Sequence, residues 1–163
     1  MIRTALFVAG LLASAGPSQA QTSSPNVPLG AAGRWAIDLA ASRFNEALTG
    51  PAPLRAEIDI TKDDGVHLAW TLIEEDEEGL AAIQFADAPL DGSPTRAVVN
   101  SQIVMIRVTR DGPRGITAVT SNSTGRAQSM RVWLSDSDTL RVEQDVDGHP
   151  GTPDQSLTFR RVK

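Results

Sequence analysis

This 163-residue chain has only two histidines and no cysteine, the residues most often used for acid–base and thiol chemistry. The chain has no cysteine, which excludes thiol catalysis, thiolate metal sites and disulfides. His67 and His149 lack the spacing of a zinc site, and no Gly-x-Ser-x-Gly sequence marks a strained nucleophile turn. The acidic run at residues 74–78 has the charge to bind calcium loosely, but such a run is typical of a solvated hairpin turn. We therefore expect no metal ion, no cofactor and no catalytic residue.

Two glutamines are the polar side chains best placed to orient a bound molecule. Gln144 shares one face of a predicted strand with Val142, and Gln84 shares one face of an earlier strand with Leu80 and Ala82. A buried amide needs a hydrogen-bonding partner, which is another side chain, water or a ligand. If these faces point inward, Gln84, Gln144 and Val142 would contact a ligand together with Trp70, an aromatic residue on a third strand.

Composition narrows the classes of partner. Fifteen Lys and Arg against 20 Asp and Glu give a formal charge of −5, which argues against binding to nucleic acids or anionic membranes. Three Trp, four Phe and no Tyr are too few to form stacking platforms for bases or sugars. Thirteen Gly and ten Pro indicate a turn-rich chain rather than a helical one.

The first 20 residues have the features of a secretory signal peptide. Arg3 supplies a positive start, residues 5–13 form an uncharged apolar run, and Ser18 and Ala20 present small side chains to a signal peptidase. The apolar run is well short of the ~20 residues that span a bilayer, so we expect no membrane span. These features predict a signal peptide at residues 1–20, and a periplasmic or secreted product that has a flexible leader at residues 21–32 and one domain at residues 33–163.

A two-residue period dominates the chain after its leader. At residues 54–61 apolar and polar side chains alternate, and similar segments recur every roughly 8–12 residues between Gly, Pro and Asp turns. This spacing and the short connections predict an all-β fold, an antiparallel up-and-down barrel of about eight strands. Residues 86–94 are expected to form a loop, residues 95–100 are ambiguous, and residues 39–48 are a weak helical segment.

The predicted strand at residues 127–134 has two possible orientations. With Met130, Val132 and Leu134 inward the interior is apolar, whereas the opposite face would place Arg131 beside Trp133 as an anion clamp. We favour the apolar face inside because burying an unpaired arginine is costly. The other aliphatic residues expected on inner faces are Val66, Leu68, Leu72, Val104 and Ile106.

Four short segments carry a resemblance to a known family. Gly-Arg-Trp at residues 33–35 opens the first strand, and Ser-Arg-Phe follows at residues 42–44. Ser-Asp-Ser-Asp-Thr-Leu at residues 135–140 precedes a late strand, and Phe-Arg-Arg-Val at residues 159–162 closes the chain. This order resembles small exported bacterial lipocalin-like proteins of calycin type. The resemblance implies a barrel with a cavity, in which Trp35 seals the closed end and a basic residue, Arg161 or Arg160, packs across it.

Three functions are compatible with such a barrel. An apolar cavity would bind a small apolar or amphiphilic molecule, which we favour because large aromatic residues able to fill the interior are scarce. A filled barrel would instead act through its surface, as an envelope interaction or structural protein. A cofactor-free isomerase or cyclase is the third possibility, although the sequence has no recognisable catalytic constellation.

Overall fold

The computed structural model of the chain describes residues 26–121, 127–146 and 152–163, without the side chains of residues 80–82 and 127. The expected signal peptide and His149 lie outside these residues. Ten strands form within them: β1 (Gly33–Ile37), β2 (Arg55–Asp63), β3 (His67–Asp76), β4 (Gly79–Pro89), β5 (Thr95–Val99), β6 (Gln102–Arg110), β7 (Gly115–Ser121), β8 (Ala127–Leu134), β9 (Thr139–Asp145) and β10 (Gln155–Arg161).

The strands form a closed antiparallel barrel in which each strand pairs with the next along the chain. The ring is completed where β1 pairs with β10, with Trp35 opposite Arg161 in the register. This arrangement confirms the predicted all-β, up-and-down barrel. Closing the sheet on itself removes the unpaired strand edges that an open sheet would expose.

The barrel has ten strands rather than about eight: the ambiguous residues 95–100 form one of them, and part of the segment expected to be a loop lengthens β4. β4 continues to Pro89, and along it Ala86 and Ala88 are buried while Asp87 is exposed. The ambiguous residues 95–100 supply β5, which pairs with β4 and β6. Alanine and aspartate are poor strand formers, so the composition of residues 86–88 hides the end of β4, which their alternation would have indicated.

The core lies inside the barrel, because alternate residues along a strand point to the same face. Trp35, Phe159 and Ile106 are fully buried there. On β8 the apolar face that we favoured lines the interior, with Leu134 buried and Met130 and Val132 packed against the core. Together with Trp70 and the aliphatic side chains of the inner faces, these residues form one continuous core cluster.

The expectation that Val66 faces the interior is wrong. Val66 lies in the turn between β2 and β3, where the Asp64 carboxylate accepts the N–H groups of Val66 and His67 at 2.9 and 2.6 Å. This turn fixes the backbone before β3 begins at His67, and it leaves Val66 42% exposed. The inward alternation therefore starts only at Leu68.

Residues 26–32, here called the N-terminal strap, cross the end of the barrel at which β1 begins. The Asp63 carboxylate accepts the N–H groups of Leu29, Gly30 and Ala31 at 2.8–2.9 Å. Leu29 and Ala31 are buried, so this part of the expected flexible leader is instead fixed to the barrel. Gly65 permits the close passage of the strap, since a Cβ there would lie 2.6 Å from the backbone of Asn26. The strap forms the floor of the barrel.

Residues 38–54 join β1 to β2 at the opposite end, the mouth. They contain a 3₁₀ turn at Leu39–Ala41 and one α-helical turn, α1 (Glu46–Thr49), in place of the single helix expected here. Arg43 and Ser156 exchange two backbone hydrogen bonds of 2.7 and 2.9 Å, which fasten this connection to β10. Within the described ranges, no helix has the length and apolar character that crossing a membrane requires.

Candidate functional site

The floor of the barrel is closed by an arginine packed on a tryptophan. Trp35 is fully buried, and its indole N–H donates to the carbonyl of Ala31 at 2.8 Å. The guanidinium carbon of Arg161 lies 4.1 Å from the centre of the Trp35 ring. The Arg161 N–H groups also donate to three carbonyls at 2.6–2.9 Å, those of Gly30, Ala32 and Ser137. One side chain therefore links the strap, β1 and the turn that follows β8.

The resemblance left open whether Arg161 or Arg160 packs across Trp35, and the directions of the two side chains show that it is Arg161. Arg160 points away from the floor, and its guanidinium donates to Asp38 at 3.1 Å and to Thr139 at 2.7 Å. Gly33 leaves space for the Arg161 side chain, because a Cβ at residue 33 would lie 3.0 Å from an Arg161 guanidinium nitrogen. The φ of Gly33 is +119°, a backbone conformation that residues with a side chain rarely adopt.

Above the floor lies a narrow space, the apolar chamber, with a volume of about 40 Å³. Trp70 and Val142, two of the predicted ligand residues, line the chamber and are almost fully buried. Aliphatic side chains of β2, β3, β7, β8, β9 and β10 and the ring of Phe159 form most of the remaining wall, which also includes Glu74, Gln84 and Gln144. Because small-molecule sites usually measure ~300–1,000 Å³, the chamber alone admits only one end of a ligand.

A larger space of about 330 Å³, the mouth cavity, lies above the chamber between β4 and β9. Gln84, Met130 and Gln144 line both spaces, so the two adjoin at these side chains. The remaining polar lining of the mouth cavity comes from Asn100, Gln102, Thr120, Gln128, Ser129 and Asp145. The sequence predicted a single apolar cavity. The barrel instead contains a narrow apolar chamber beneath a larger cavity with many polar side chains in its lining.

Glutamine amides are concentrated at this end of the barrel. Of the five glutamines between residues 26 and 163, four line the mouth cavity, and the fifth, Gln155, lines a neighbouring pocket beneath the connection between β1 and β2. The side-chain amide N–H of Gln155 donates to the side-chain oxygen of Gln144, and the side-chain nitrogen of Gln144 lies 3.7 Å from the sulfur of Met130. The Gln84 amide has no hydrogen-bond partner within the described part of the chain. Gln84 therefore offers a free donor and a free acceptor to a ligand.

Glu74 is a site residue that the sequence reasoning missed. It belongs to β3 and follows Leu68, Trp70 and Leu72 on the inner face, instead of lying in a solvated turn. Burial raises the pKa of its carboxyl above the ordinary value, since a charged form loses hydration there. The two-residue period, continued past Leu72 into the acidic run, was the available signal. The expectation that this whole run is a hairpin turn is wrong, because the strand extends to Asp76.

A third space, here called the side pocket, lies beneath the connection between β1 and β2. It has a volume of about 270 Å³. Phe44, Thr49, Pro51 and Pro53 line it from the connection, and Glu74, Asp76, Gln155 and Leu157 line it from the barrel. Glu74 and Leu157 also line the apolar chamber, so the carboxyl of Glu74 stands where the chamber meets the side pocket.

The predicted ligand residues therefore converge, since Trp70, Gln84, Val142 and Gln144 all line the apolar chamber. Arg131, the anion clamp of the alternative orientation, points outward instead. Its guanidinium donates to the Asp111 carboxylate at 2.7 Å and lies 5.1 Å from the centre of the Trp133 ring. Neither Arg131 nor Trp133 lines one of the three internal spaces.

Comparison with known proteins identifies the fold. No protein-family model matches the chain, and no curated protein matches it in sequence. Among solved structures, the crystal structure of a point mutant of the fluorescent protein UnaG is similar, with a TM-score of 0.60 and 16% sequence identity. The match covers 82% of this chain and 97% of that chain, and UnaG is a fatty-acid-binding-protein-like barrel.

The chain has a calycin-type fold. The calycin-type, lipocalin-like resemblance predicted from four short segments is confirmed at this level. At 16% identity the likeness concerns the fold and assigns no ligand. Calycin-type barrels share a chain path around a central cavity, while the residues that line the cavity determine what it accepts.

Proposed function

We propose that this chain is an exported binding protein for a small amphiphilic molecule held inside the barrel. The apolar part of the ligand enters the apolar chamber beside Trp70, and its polar part remains among the amides of the mouth cavity. The observation that carries the proposal is the junction of these two spaces at Gln84, Met130 and Gln144. Small-molecule sites typically combine apolar walls with a few fixed polar groups, as this junction does.

The volume of the mouth cavity favours binding over a filled barrel that acts only through its surface. At about 330 Å³ it lies within the range of ~300–1,000 Å³ that small-molecule sites occupy. A ligand in this cavity reaches the apolar chamber without any rearrangement of the floor. The fold-level likeness to a fatty-acid-binding-protein-like barrel supports the same class of small ligand.

Titration with a neutral apolar dye, N-phenyl-1-naphthylamine, tests the proposal. We expect saturable one-to-one binding, with increased dye emission and energy transfer from Trp70 in the chamber wall. Trp70→Phe should remove much of this transfer. Trp133→Phe is the matched control because Trp133 lies on the outer side of β8, and it should leave most of the transfer intact. Absence of saturable dye binding would overturn the proposal.

Export is the part of the proposal that rests on the sequence of residues 1–20 alone. Expression of the full chain in a Gram-negative host should yield a product outside the cytoplasm. N-terminal sequencing of that product should begin at Gln21. A full-length cytoplasmic product would contradict export without affecting the binding proposal.

A further inference from the structure

We propose that the ligand of this barrel is a cationic amphiphile, an apolar molecule whose protonated amine contacts the carboxylate of Glu74. This inference rests on the proposed function and adds the charge of the ligand to it. One end of the apolar body would lie against Trp70 in the chamber. The amine would lie at the edge of the chamber beside Glu74 and Gln84, where the chamber adjoins both the side pocket and the mouth cavity.

The sign of the charge in the internal spaces supports a cationic ligand. Glu74 lines both the chamber and the side pocket, Asp76 lines the side pocket, and the described residues contribute no lysine or arginine to either lining. Nearby arginines are engaged elsewhere. Arg55 pairs with Glu57 at 2.6 Å, and Arg43 donates to the carbonyl of Pro153 at 3.1 Å. Among the described residues, the charges around Glu74 are therefore negative, which favours a positively charged ligand over a negatively charged one.

Glu74 gains a partner when a cation binds beside it. Within the described part of the chain, its carboxylate forms no hydrogen bond and no ion pair. Its burial disfavours the charged form, which an ammonium group in direct contact would restore. Hydrogen bonds between charged groups are roughly twice as strong as neutral ones, so this contact would dominate the selection of the ligand.

Neighbouring groups complete a suitable environment for an ammonium group. Gln84 is paired with Leu72 in the register and so lies diagonally across from Glu74, with an amide that has no partner among the described residues. Diagonal side chains of this kind are ~7–8 Å apart at Cα, which lets one small group contact both. In the side pocket, Phe44 offers an aromatic ring and Gln155 a second amide. An aromatic face near a cation adds attraction through its quadrupole.

The same geometry discriminates against anionic amphiphiles. A carboxylate head group in the chamber would lie next to Glu74 without a lysine or arginine to neutralise either charge. It would have to bind with one of the two carboxyls protonated. A neutral alcohol avoids this repulsion but gains no ion pair, so its affinity should fall between those of the amine and the carboxylate.

Three ligands with the same ten-carbon chain test the inference: decylamine, decanol and decanoate. Each is titrated against the bound naphthylamine dye at neutral pH with the unmodified protein. We expect decylamine to bind about tenfold more tightly than decanol, which corresponds to ~1.4 kcal/mol, and decanoate to bind most weakly. Equal affinities for the amine and the alcohol, or a preference for the carboxylate, would overturn the inference while leaving the proposed function intact.

Two variants separate a specific contact from the general attraction of an acidic protein. Glu74→Gln should lower decylamine affinity about tenfold and change decanol affinity by less than about twofold. Glu75→Gln is the matched control, because Glu75 is the next residue of β3, faces outward and lies 3.8 Å from Arg55. Equal losses in both variants would overturn the inference. If neither the dye nor decanol binds, the proposed function fails and the inference fails with it.

Discussion

The guanidinium of Arg161 packs over the buried indole of Trp35, with 4.1 Å between its central carbon and the ring centre. The two residues face each other across the β1–β10 pair that closes the barrel. The Arg161 guanidinium also donates hydrogen bonds to two backbone carbonyls of the N-terminal strap. The contact thus joins the first strand, the last strand and the floor, and it stabilises all three together.

Replacing either partner of this contact should destabilise the fold. Trp35→Ala removes a fully buried side chain and should cost about 3–5 kcal/mol in the free energy of unfolding. Arg161→Ala should cost less, and the double variant should reveal a coupling energy above ~0.5 kcal/mol by urea denaturation. Arg160→Ala is the control, and its effect should add to that of Trp35→Ala. Additive effects of Trp35→Ala and Arg161→Ala would contradict the contact.

Asp63 should determine whether the N-terminal strap stays on the floor. Asp63→Ala leaves the N–H groups of Leu29, Gly30 and Ala31 without their acceptor and should cost about 1–3 kcal/mol. Limited proteolysis should then cleave within residues 26–32 before the barrel is cut. Asp59→Ala is the matched control, since Asp59 is an exposed carboxylate on the same strand. Equal protection of the strap in both variants would contradict this role.

Val142→Trp should block ligand entry by filling the apolar chamber. Val142 is buried in the chamber wall, and the space there is only about 40 Å³. Overpacking should cost about 1–3 kcal/mol, which leaves a folded barrel with reduced dye binding. Val119→Trp adds the same bulk on the outer face, where Val119 is 36% exposed, and should bind dye normally. Full dye binding by Val142→Trp would place the site outside the chamber.

Glu74 should make stability fall as the pH rises. Its pKa is raised in the folded state, so between its ordinary and its folded pKa the folded protein retains a proton that the unfolded chain has released. Glu74→Gln removes this difference, and its melting temperature relative to the unmodified protein should increase with pH across that window. Glu57 acts in the opposite sense, because hydrogen bonds from Arg55 and Arg34 lower its pKa. A melting-temperature difference that does not change with pH would show that Glu74 is solvated.

The two-residue period predicted most of the barrel because burial of one face leaves an alternation, which is clearest in β2 and also present at residues 140–142 of β9. The same rule would have identified Glu74, had it been continued beyond the apolar residues. The strap was not predictable, because its order comes from Asp63, a residue over 30 positions away. The size of the chamber was not predictable either, since it depends on how Phe159 and the aliphatic side chains interdigitate across the ring.

The pairing of β1 with β10 has a consequence for how the native state is reached. Arg161 and the strap residue Gly30 are 131 positions apart. The first part of the barrel to be synthesised therefore cannot form this contact until the last strand has been made. Contacts between such distant residues form slowly, because a long loop must close before they contribute any stability. Until β10 is available, β1 and β9 each keep an unpaired backbone edge. A chain that stops before Gln155 should therefore associate edge to edge with other chains, and the final strand determines whether the product is a closed ring or an aggregate.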